Sequence, residues 1–159
     1  MRIGQGFDVH QLVPDRALWL GGVEVPYDRG LDGHSDGDAL LHAVADAILG
    51  ALGAGDLGRH FPSSEERWRG VASREILADV ATRMRAAGYE IGNLDATIIA
   101  QTPRLSTHQV EMKKNLVEIL AAGDDRINLK VTSTDQLGTI GRGEGIAAMA
   151  VVLLESTQP

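Results

Sequence analysis

The sequence predicts an α+β fold, a single mixed α/β domain over residues 1–159 with a mixed sheet covered by helices on one face. Three observations lead there. Strand-like and helix-like periodicities interleave in the order β-β-β-α-α-β-α-β-β. A length of 159 residues suits one domain, which buries roughly two-thirds of the surface its unfolded chain exposes. Hydrophobic residues make up 43% and aromatics only 4%, so the core is aliphatic and alanine-rich. Three main helices cannot cover both faces of such a sheet, and the shortage predicts self-association.

Residues 2–11 read as a strand. With a period of two, Ile3, Phe7 and Val9 share an apolar face, while Gly4, Gly6, Asp8 and His10 share a small, polar one. Residues 12–16 hold a Pro14-Asp15 turn. Residues 17–20 and 23–25 form a hairpin around Gly21-Gly22. A turn-rich stretch, 27–33, leads to His34-Ser35-Asp36-Gly37-Asp38. Ser35, with Asp38 three residues on, resembles a capping box and starts a helix. Ala39, Leu40, Ala43, Val44, Ala47, Ile48 and Leu52 carry that helix to Leu52, where Gly53 and Gly55 end it. Residues 56–62 are irregular and 63–70 a polar loop. A second helix opens at Ser73 and runs to Ala87, with Gly88 as its stop. Residues 89–99 are a long strand bent near Gly92-Asn93 and closed by Pro103. A third helix spans 106–122, ended by Gly123. Residues 127–133 form a strand, 134–143 a loop or short helical turn, and 146–154 a final buried strand favoured by Val151-Val152.

The net charge of −7 speaks against a general nucleic-acid binder, which needs a basic footprint. It also means that an anionic ligand would need metals or local arginines. Cysteine is absent, which excludes disulfides and thiolate metal sites. There is no basic-then-apolar leader and no apolar run long enough to span a bilayer. A soluble cytoplasmic protein without nucleic-acid or membrane partners is expected.

Three constellations can carry chemistry. Asp8 and His10 stand side by side on one strand face, as a surface hydrogen bond or as two ligands of a zinc-like ion. Asp38, His42 and Asp46 recur every fourth residue and form one line on a helix, either a solvated face or a third ligand's platform. Of five histidines, His10, His34 and His42 cluster in the first third of the chain, which favours a site. Asp8, His10 and His42 with an open fourth position would match a catalytic zinc. His34 and Ser35 lie at a helix N-terminus, where free N–H groups attract phosphate. Residues 130–145 combine Thr132, Ser133, Thr134, Asp135, several glycines and Arg142, either a glycine-rich turn or a phosphate cradle. Asp135 lies close enough to the hydroxyls to hold a second metal against a phosphate. No Gly-x-Ser-x-Gly elbow or P-loop occurs, His60 and His108 lack ligand partners nearby in sequence, and Trp19 and Trp68 read as packing residues.

Four stretches together resemble the 2-C-methyl-D-erythritol 2,4-cyclodiphosphate synthase family: Met1-Arg2-Ile3-Gly4-Gln5-Gly6-Phe7-Asp8-Val9-His10, His34-Ser35-Asp36-Gly37-Asp38 with His42, Ile98-Ile99-Ala100-Gln101, and Gly141-Arg142-Gly143-Glu144-Gly145-Ile146. The resemblance spans the chain, with the motifs in order. It implies a metal-dependent phosphorus–oxygen lyase of the non-mevalonate isoprenoid pathway. Such an enzyme turns 4-diphosphocytidyl-2-C-methyl-D-erythritol 2-phosphate into the cyclic diphosphate and releases CMP. It implies a homotrimer with sheets packed around a threefold axis and active sites between subunits. Asp8, His10 and His42 would hold zinc or another divalent ion. Asp135, where the family usually has glutamate, would help hold magnesium or manganese. His34 and Ser133, a serine where threonine is more usual, would stabilise the transition state. Asp8, Val9, His10, His34 and Ser35 would also meet the substrate. Asp56, Leu57, Gly58, Phe61, Pro62, Ser63, Ser64 and Glu65 would contact the methylerythritol part. Ala100, Gln101, Thr102, Pro103, Arg104 and Leu105, with Thr132, Ser133, Thr134 and Asp135, would hold the cytidine end. Arg142 would complete the set, near a central cavity that in some relatives takes isoprenoid diphosphates and where Thr139 stands here. Two readings of the same ligands compete: a metal-dependent phosphohydrolase that activates water, and a trimeric binding protein with a structural metal.

Overall fold

A computed structural model describes residues 1–157. A five-stranded mixed sheet is ordered β4-β1-β7-β5-β6: β1 is Arg2–Pro14, β4 Arg29–Leu31, β5 Tyr89–Ile99, β6 Ile127–Thr132 and β7 Gly145–Ser156. β7 pairs antiparallel with β1 and with β5, and β5 pairs parallel with β6. The hairpin β2 (Leu18–Leu20) and β3 (Val23–Val25) stands as a separate two-stranded sheet. The helices are α1 (Ala39–Leu52), α2 (Leu57–His60), α3 (Ser73–Ala86), α4 (Gln109–Leu120) and α5 (Gly138–Gly141). α1 packs on β1 and β7, α3 on α1, and α4 on β6 and α3.

The alternation expected for β1 holds, but its two faces take unexpected roles. Gly4, Gly6, Asp8 and His10 face inward, onto α1. Ile3, Phe7 and Val9 point away, together with Met149 and Val151 of β7; these five side chains range from 42% to 73% exposed. Where α1 crosses the inner face, one cross-strand row is made of small residues only, Gly6, Ala150 and Ala96; in the next, Gly4 stands beside Val152 and Leu94. α1 answers with alanines at 39, 43, 47 and 51, all buried. A Cβ on Gly4 would lie 1.9 Å from the Ala47 carbonyl oxygen, and one on Gly6 2.0 Å from that of Ala43. Helix and strand backbones are therefore in direct contact.

Several boundaries differ from expectation, each for a local reason. β1 continues to Pro14 because β4 pairs with it, Leu12 opposite Leu31 and Pro14 opposite Arg29. Arg29-Gly30-Leu31 is too short to show a period. Ser35 does not cap α1. Asp38 does, accepting from Leu41 N at 3.1 Å, and the same carboxylate takes Gly21 N at 2.9 Å and Gly22 N at 2.8 Å. α1 is thus capped and tied to the hairpin by one fully buried group. Burial pushes the Asp38 carboxyl above its ordinary range although these N–H groups oppose that. The irregular 56–62 stretch contains α2, whose cap is Asp56, accepting from Arg59 N at 2.9 Å. The polar loop holds a 3-10 turn at Glu66–Trp68. α3 ends one residue early, at Ala86. α4 is shorter than 106–122 at both ends; it stops at Ala121, which is left-handed (φ 52°), before Gly123 is reached. The bend in β5 is a register shift between Ile91 and Asn93, as its Gly92-Asn93 pair suggested.

Gly6→Ala is expected to destabilise the fold by about 1–3 kcal/mol through overpacking against the Ala43 carbonyl. The measurement is a urea midpoint shifted downward with an unchanged m-value. Asp38→Asn is expected to cost about 1–3 kcal/mol, because its amide NH2 cannot accept from the N–H groups that converge on this side chain.

Candidate metal centre and active-site cavity

The close approach of α1 to β1 sets His42 opposite Asp8 and His10. Asp8 Oδ2 lies 2.9 Å from His10 Nε2 and 3.0 Å from His42 Nδ1, and the two ring nitrogens are 3.2 Å apart. Among the described residues this is a group of three side chains whose ligand atoms converge closely enough to hold a metal ion.

The surroundings settle which nitrogens face the cluster. His10 Nδ1 lies 2.5 Å from the Asp32 carbonyl, which can only accept, so Nδ1 carries the proton and Nε2 turns a lone pair to the cluster. His42 Nε2 lies 2.8 Å from Ser73 Oγ and 3.1 Å from Ser35 Oγ, which leaves Nδ1 toward Asp8. The Asp8 oxygen and the His10 lone pair therefore face each other with His42 Nδ1 beside them, an arrangement that requires a proton or a cation between them. One carboxylate oxygen and two imidazole nitrogens, with space for a further ligand, suit a zinc-like ion.

The electrostatics agree. Burial works to raise the Asp8 pKa, but hydrogen bonds and charge from His10 and His42 outweigh it, and the carboxyl is held well below the usual range. Burial works to lower the His10 pKa, but the Asp8 carboxylate and the Asp32 carbonyl outweigh it, so the ring holds positive charge more readily than usual. Both residues favour the states that leave charge opposite charge.

The cluster forms one wall of a cavity of about 260 Å³, lined also by His34, Ser35, Asp46, Leu57, Gly58, Phe61, Trp68 and Ile76. Asp46 completes the every-fourth-residue line on α1 and anchors α2 by accepting from Leu57 N at 2.8 Å. Burial raises its pKa, partly offset by that hydrogen bond. The line is thus no solvated face: Asp38 holds the hairpin, His42 the cluster and Asp46 the cavity's lower rim. Phe61 and Trp68 stack edge-on at 4.9 Å and close the apolar side. His34 Nε2 and Trp68 Nε1 are buried without a hydrogen-bond partner among the described residues. Such groups beside a cavity suit a polar ligand that would satisfy them.

Of the residues expected at the site, Asp8, His10, His34, Ser35, His42, Leu57, Gly58 and Phe61 come together here. Asp56 is the α2 cap and, like Pro62, Ser63, Ser64 and Glu65, does not line the cavity. Ala100, Gln101, Thr102, Pro103, Arg104 and Leu105, with Thr132 and Ser133, line a different cleft of about 520 Å³ at the ends of β5 and β6. No residue lines both. β5 and β6 lie two and three strands from β1, roughly 10 and 14 Å across the sheet. Thr134 and Asp135 follow on an exposed loop, where Ser133 Oγ accepts from Asp135 N at 3.3 Å. Val9 points to the outer face. Arg142 is exposed and pairs with Glu144 at 2.5 Å. Trp68, Ile76 and Asp46 were not anticipated as cavity residues, and neither was the Ser73 contact to His42. Their positions depend on tertiary packing, and only the Asp38-His42-Asp46 spacing hinted at one of them.

Comparison with known proteins then fixes the family, since the YgbB family profile matches residues 1–155. The chain belongs to the YgbB family. Among its relatives, the 2-C-methyl-D-erythritol 2,4-cyclodiphosphate synthases of Geobacter metallireducens and Geotalea uraniireducens are 59% and 57% identical over 155 residues, covering 98% of this chain and 99% of each relative. Among solved structures, the bifunctional IspDF of Campylobacter jejuni superposes with a TM-score of 0.93 at 40% identity, over 98% of this chain and 42% of that one. A 2C-methyl-D-erythritol-2,4-cyclodiphosphate synthase in its CDP-bound form gives a TM-score of 0.89 at 35% identity, over 97% of this chain and 100% of that one.

Asp8→Asn preserves shape but removes the anionic ligand. It is expected to weaken divalent-metal binding by more than about 100-fold, beyond the 10–100-fold typical of groups that only support a ligand. Titration with zinc against a chromophoric chelator measures this.

Proposed function

We propose that this chain converts 4-diphosphocytidyl-2-C-methyl-D-erythritol 2-phosphate to 2-C-methyl-D-erythritol 2,4-cyclodiphosphate and CMP, as a phosphorus–oxygen lyase of the non-mevalonate isoprenoid pathway. The observation that carries the reading is the Asp8–His10–His42 cluster, open to a cavity, in a chain 57–59% identical to synthases of that name over nearly its whole length.

The reaction needs no protein nucleophile. An oxygen of the substrate's 2-phosphate attacks the β-phosphorus, the bond from that phosphorus to the bridging oxygen breaks, and CMP leaves with the bonding electrons. No water is consumed. The protein must bend the substrate so that its two ends meet, which is catalysis by positioning. Asp8, His10 and His42 would hold a divalent ion, zinc in this reading, which would neutralise and polarise the phosphoryl oxygens. Asp135 would help hold a second ion, magnesium or manganese. His34 and Ser133 would stabilise charge at the reacting phosphorus by hydrogen bonding. Leu57, Gly58 and Phe61 would enclose the methylerythritol carbons. Residues 100–105 and 132–135 would hold the cytidine end. With a net charge of −7, the protein depends on bound cations to receive so anionic a substrate.

The proposed assembly is a homotrimer with each active site shared between subunits. Two observations support it. The outer face of β1 and β7 exposes Ile3, Phe7, Val9, Met149 and Val151 as one apolar band. The metal half and the nucleotide half lie in clefts that share no residue on one chain. Packing the bands around a threefold axis covers the first and joins the second across a subunit boundary.

Phosphorus NMR of the reaction is expected to show a cyclic diphosphate and CMP in equal amounts; linear phosphate products would contradict the reading. Phe7→Asp is expected to convert the trimer to monomer in sedimentation velocity and to lower turnover by at least about 100-fold, as lost positioning does. Its zinc affinity is expected to stay unchanged, since Phe7 lies on the opposite sheet face from the ligands.

A further inference from the structure

The metal reading uses His42 through Nδ1. Its other nitrogen enters a hydrogen-bonded chain that neither the reading nor the expected site residues include. Ser73, the first residue of α3, has no exposed surface, and its Oγ lies 2.8 Å from His42 Nε2. Ser73 Oγ also donates to Asp36 Oδ1 in a short hydrogen bond. Asp36 Oδ2 accepts from Ser73 N at 3.0 Å, so the carboxylate grips both donors of that serine. Backbone bonds from Gly70 N to the His34 carbonyl (2.8 Å) and from Asp36 N to the Val71 carbonyl (3.2 Å) stitch the two loops together and hold the pair in place.

The direction of this chain follows from donor arithmetic. A carboxylate only accepts, and a serine hydroxyl has one proton. With that proton committed to Asp36, Ser73 Oγ can only accept from His42 Nε2. Nε2 must then carry the proton, and Nδ1 presents its lone pair toward Asp8 and His10.

We propose that Asp36 and Ser73 are positioning residues that fix the tautomer and ring orientation of His42, so that Nδ1 is kept as a metal ligand. This rests on the metal reading of Asp8, His10 and His42. It assigns a second task to the His34–Asp38 segment: Asp38 caps α1 while Asp36, two residues earlier, orients a side chain one turn into that helix. Asp36 reaches the ligand from a different helix, since Ser73 opens α3. The ligand geometry is therefore coupled to the docking of α3 on α1. Ser35 Oγ, 3.1 Å from the same nitrogen, is an alternative acceptor that would partly replace Ser73.

Asp36→Ala decides the matter. Asp36 Oδ1 accepts from Asp38 N at 3.2 Å as well as from Ser73 Oγ, so an asparagine would keep its oxygen there, whereas alanine removes the acceptor. The Ser73 hydroxyl is then free to turn its proton to His42 Nε2 and the chain reverses, putting the imidazole proton on Nδ1. Zinc affinity is expected to fall about 10–100-fold. Ser73→Ala is expected to have a smaller effect, because Ser35 remains, and Ser73→Thr to stay near wild type, because the hydroxyl remains. Nitrogen-15 NMR of the metal-free protein supplies a readout independent of turnover. Nε2 of His42 is expected to be protonated in the wild type and in Asp36→Asn, and unprotonated in Asp36→Ala. Wild-type zinc affinity in Asp36→Ala, a still protonated Nε2 in that variant, or a loss of thermal stability with unchanged affinity would each overturn the proposal. Should Asp36→Ala fail to fold, Asp36→Asn and Ser73→Thr, both expected to keep Nε2 protonated, carry the test, and an unprotonated Nε2 in either would overturn it. Equal zinc binding by wild type and His42→Ala would instead contradict the metal reading, and the nitrogen signals would still decide the direction of the hydrogen bonds.

Discussion

Two glycines on β1 let α1 lie on the strand's backbone, and the site depends on that approach. Any side chain at Gly4 or Gly6 would enter the space of the Ala47 or Ala43 carbonyl. The same strand carries Asp8 and His10 on the same face, one and two pleats further on. The helix carries His42 next to Ala43. When glycine meets alanine, His42 Nδ1 arrives 3.0 Å from Asp8. A helix held further away by larger residues would leave the three ligand atoms unable to share an ion. The packing is thus the source of the ligand geometry.

α1 then distributes this rigidity through one line of polar residues. Asp38 ties it to the β2–β3 hairpin, His42 joins it to β1, and Asp46 holds α2, from which Leu57 and Gly58 enter the cavity. Placing three titratable groups on one helix face, Asp38 fully buried and His42 and Asp46 partly, is costly unless each is hydrogen-bonded, and each is. Asp38 is the extreme case: fully buried, it is surrounded by backbone N–H groups rather than by a counter-charge.

Much of this was legible in the sequence, and the exceptions share a cause. The first strand and α1 followed from local periodicity, α3 from its start and stop residues, the final strand from its apolar length and Val151-Val152, and the Asp8, His10 and His42 grouping from residue type and spacing. β4 and α2 were not visible because each is too short to carry a period; pairing with β1 and the Asp46 anchor create them. The cap of α1 was misassigned because Ser35 and Asp38 are both good capping residues, and only the position of Gly21 and Gly22 shows which carboxylate or hydroxyl the fold recruits. The polarity of β1 was read correctly as alternation, yet which face lies inward depends on what α1 can approach. The glycine face wins because it permits backbone contact, and the apolar face is left for a second copy. Trp68 was read as packing; it does pack on Phe61, and it also lines the cavity with a buried N–H that has no partner among the described residues.

The most direct measurement is anomalous scattering at the zinc edge from crystals of the wild-type protein. The expected result is a peak bonded to Asp8 Oδ2, His10 Nε2 and His42 Nδ1, with a fourth position open to the cavity. A peak elsewhere, or one bonded to His42 through Nε2, would contradict the geometry that the glycine–alanine contact imposes.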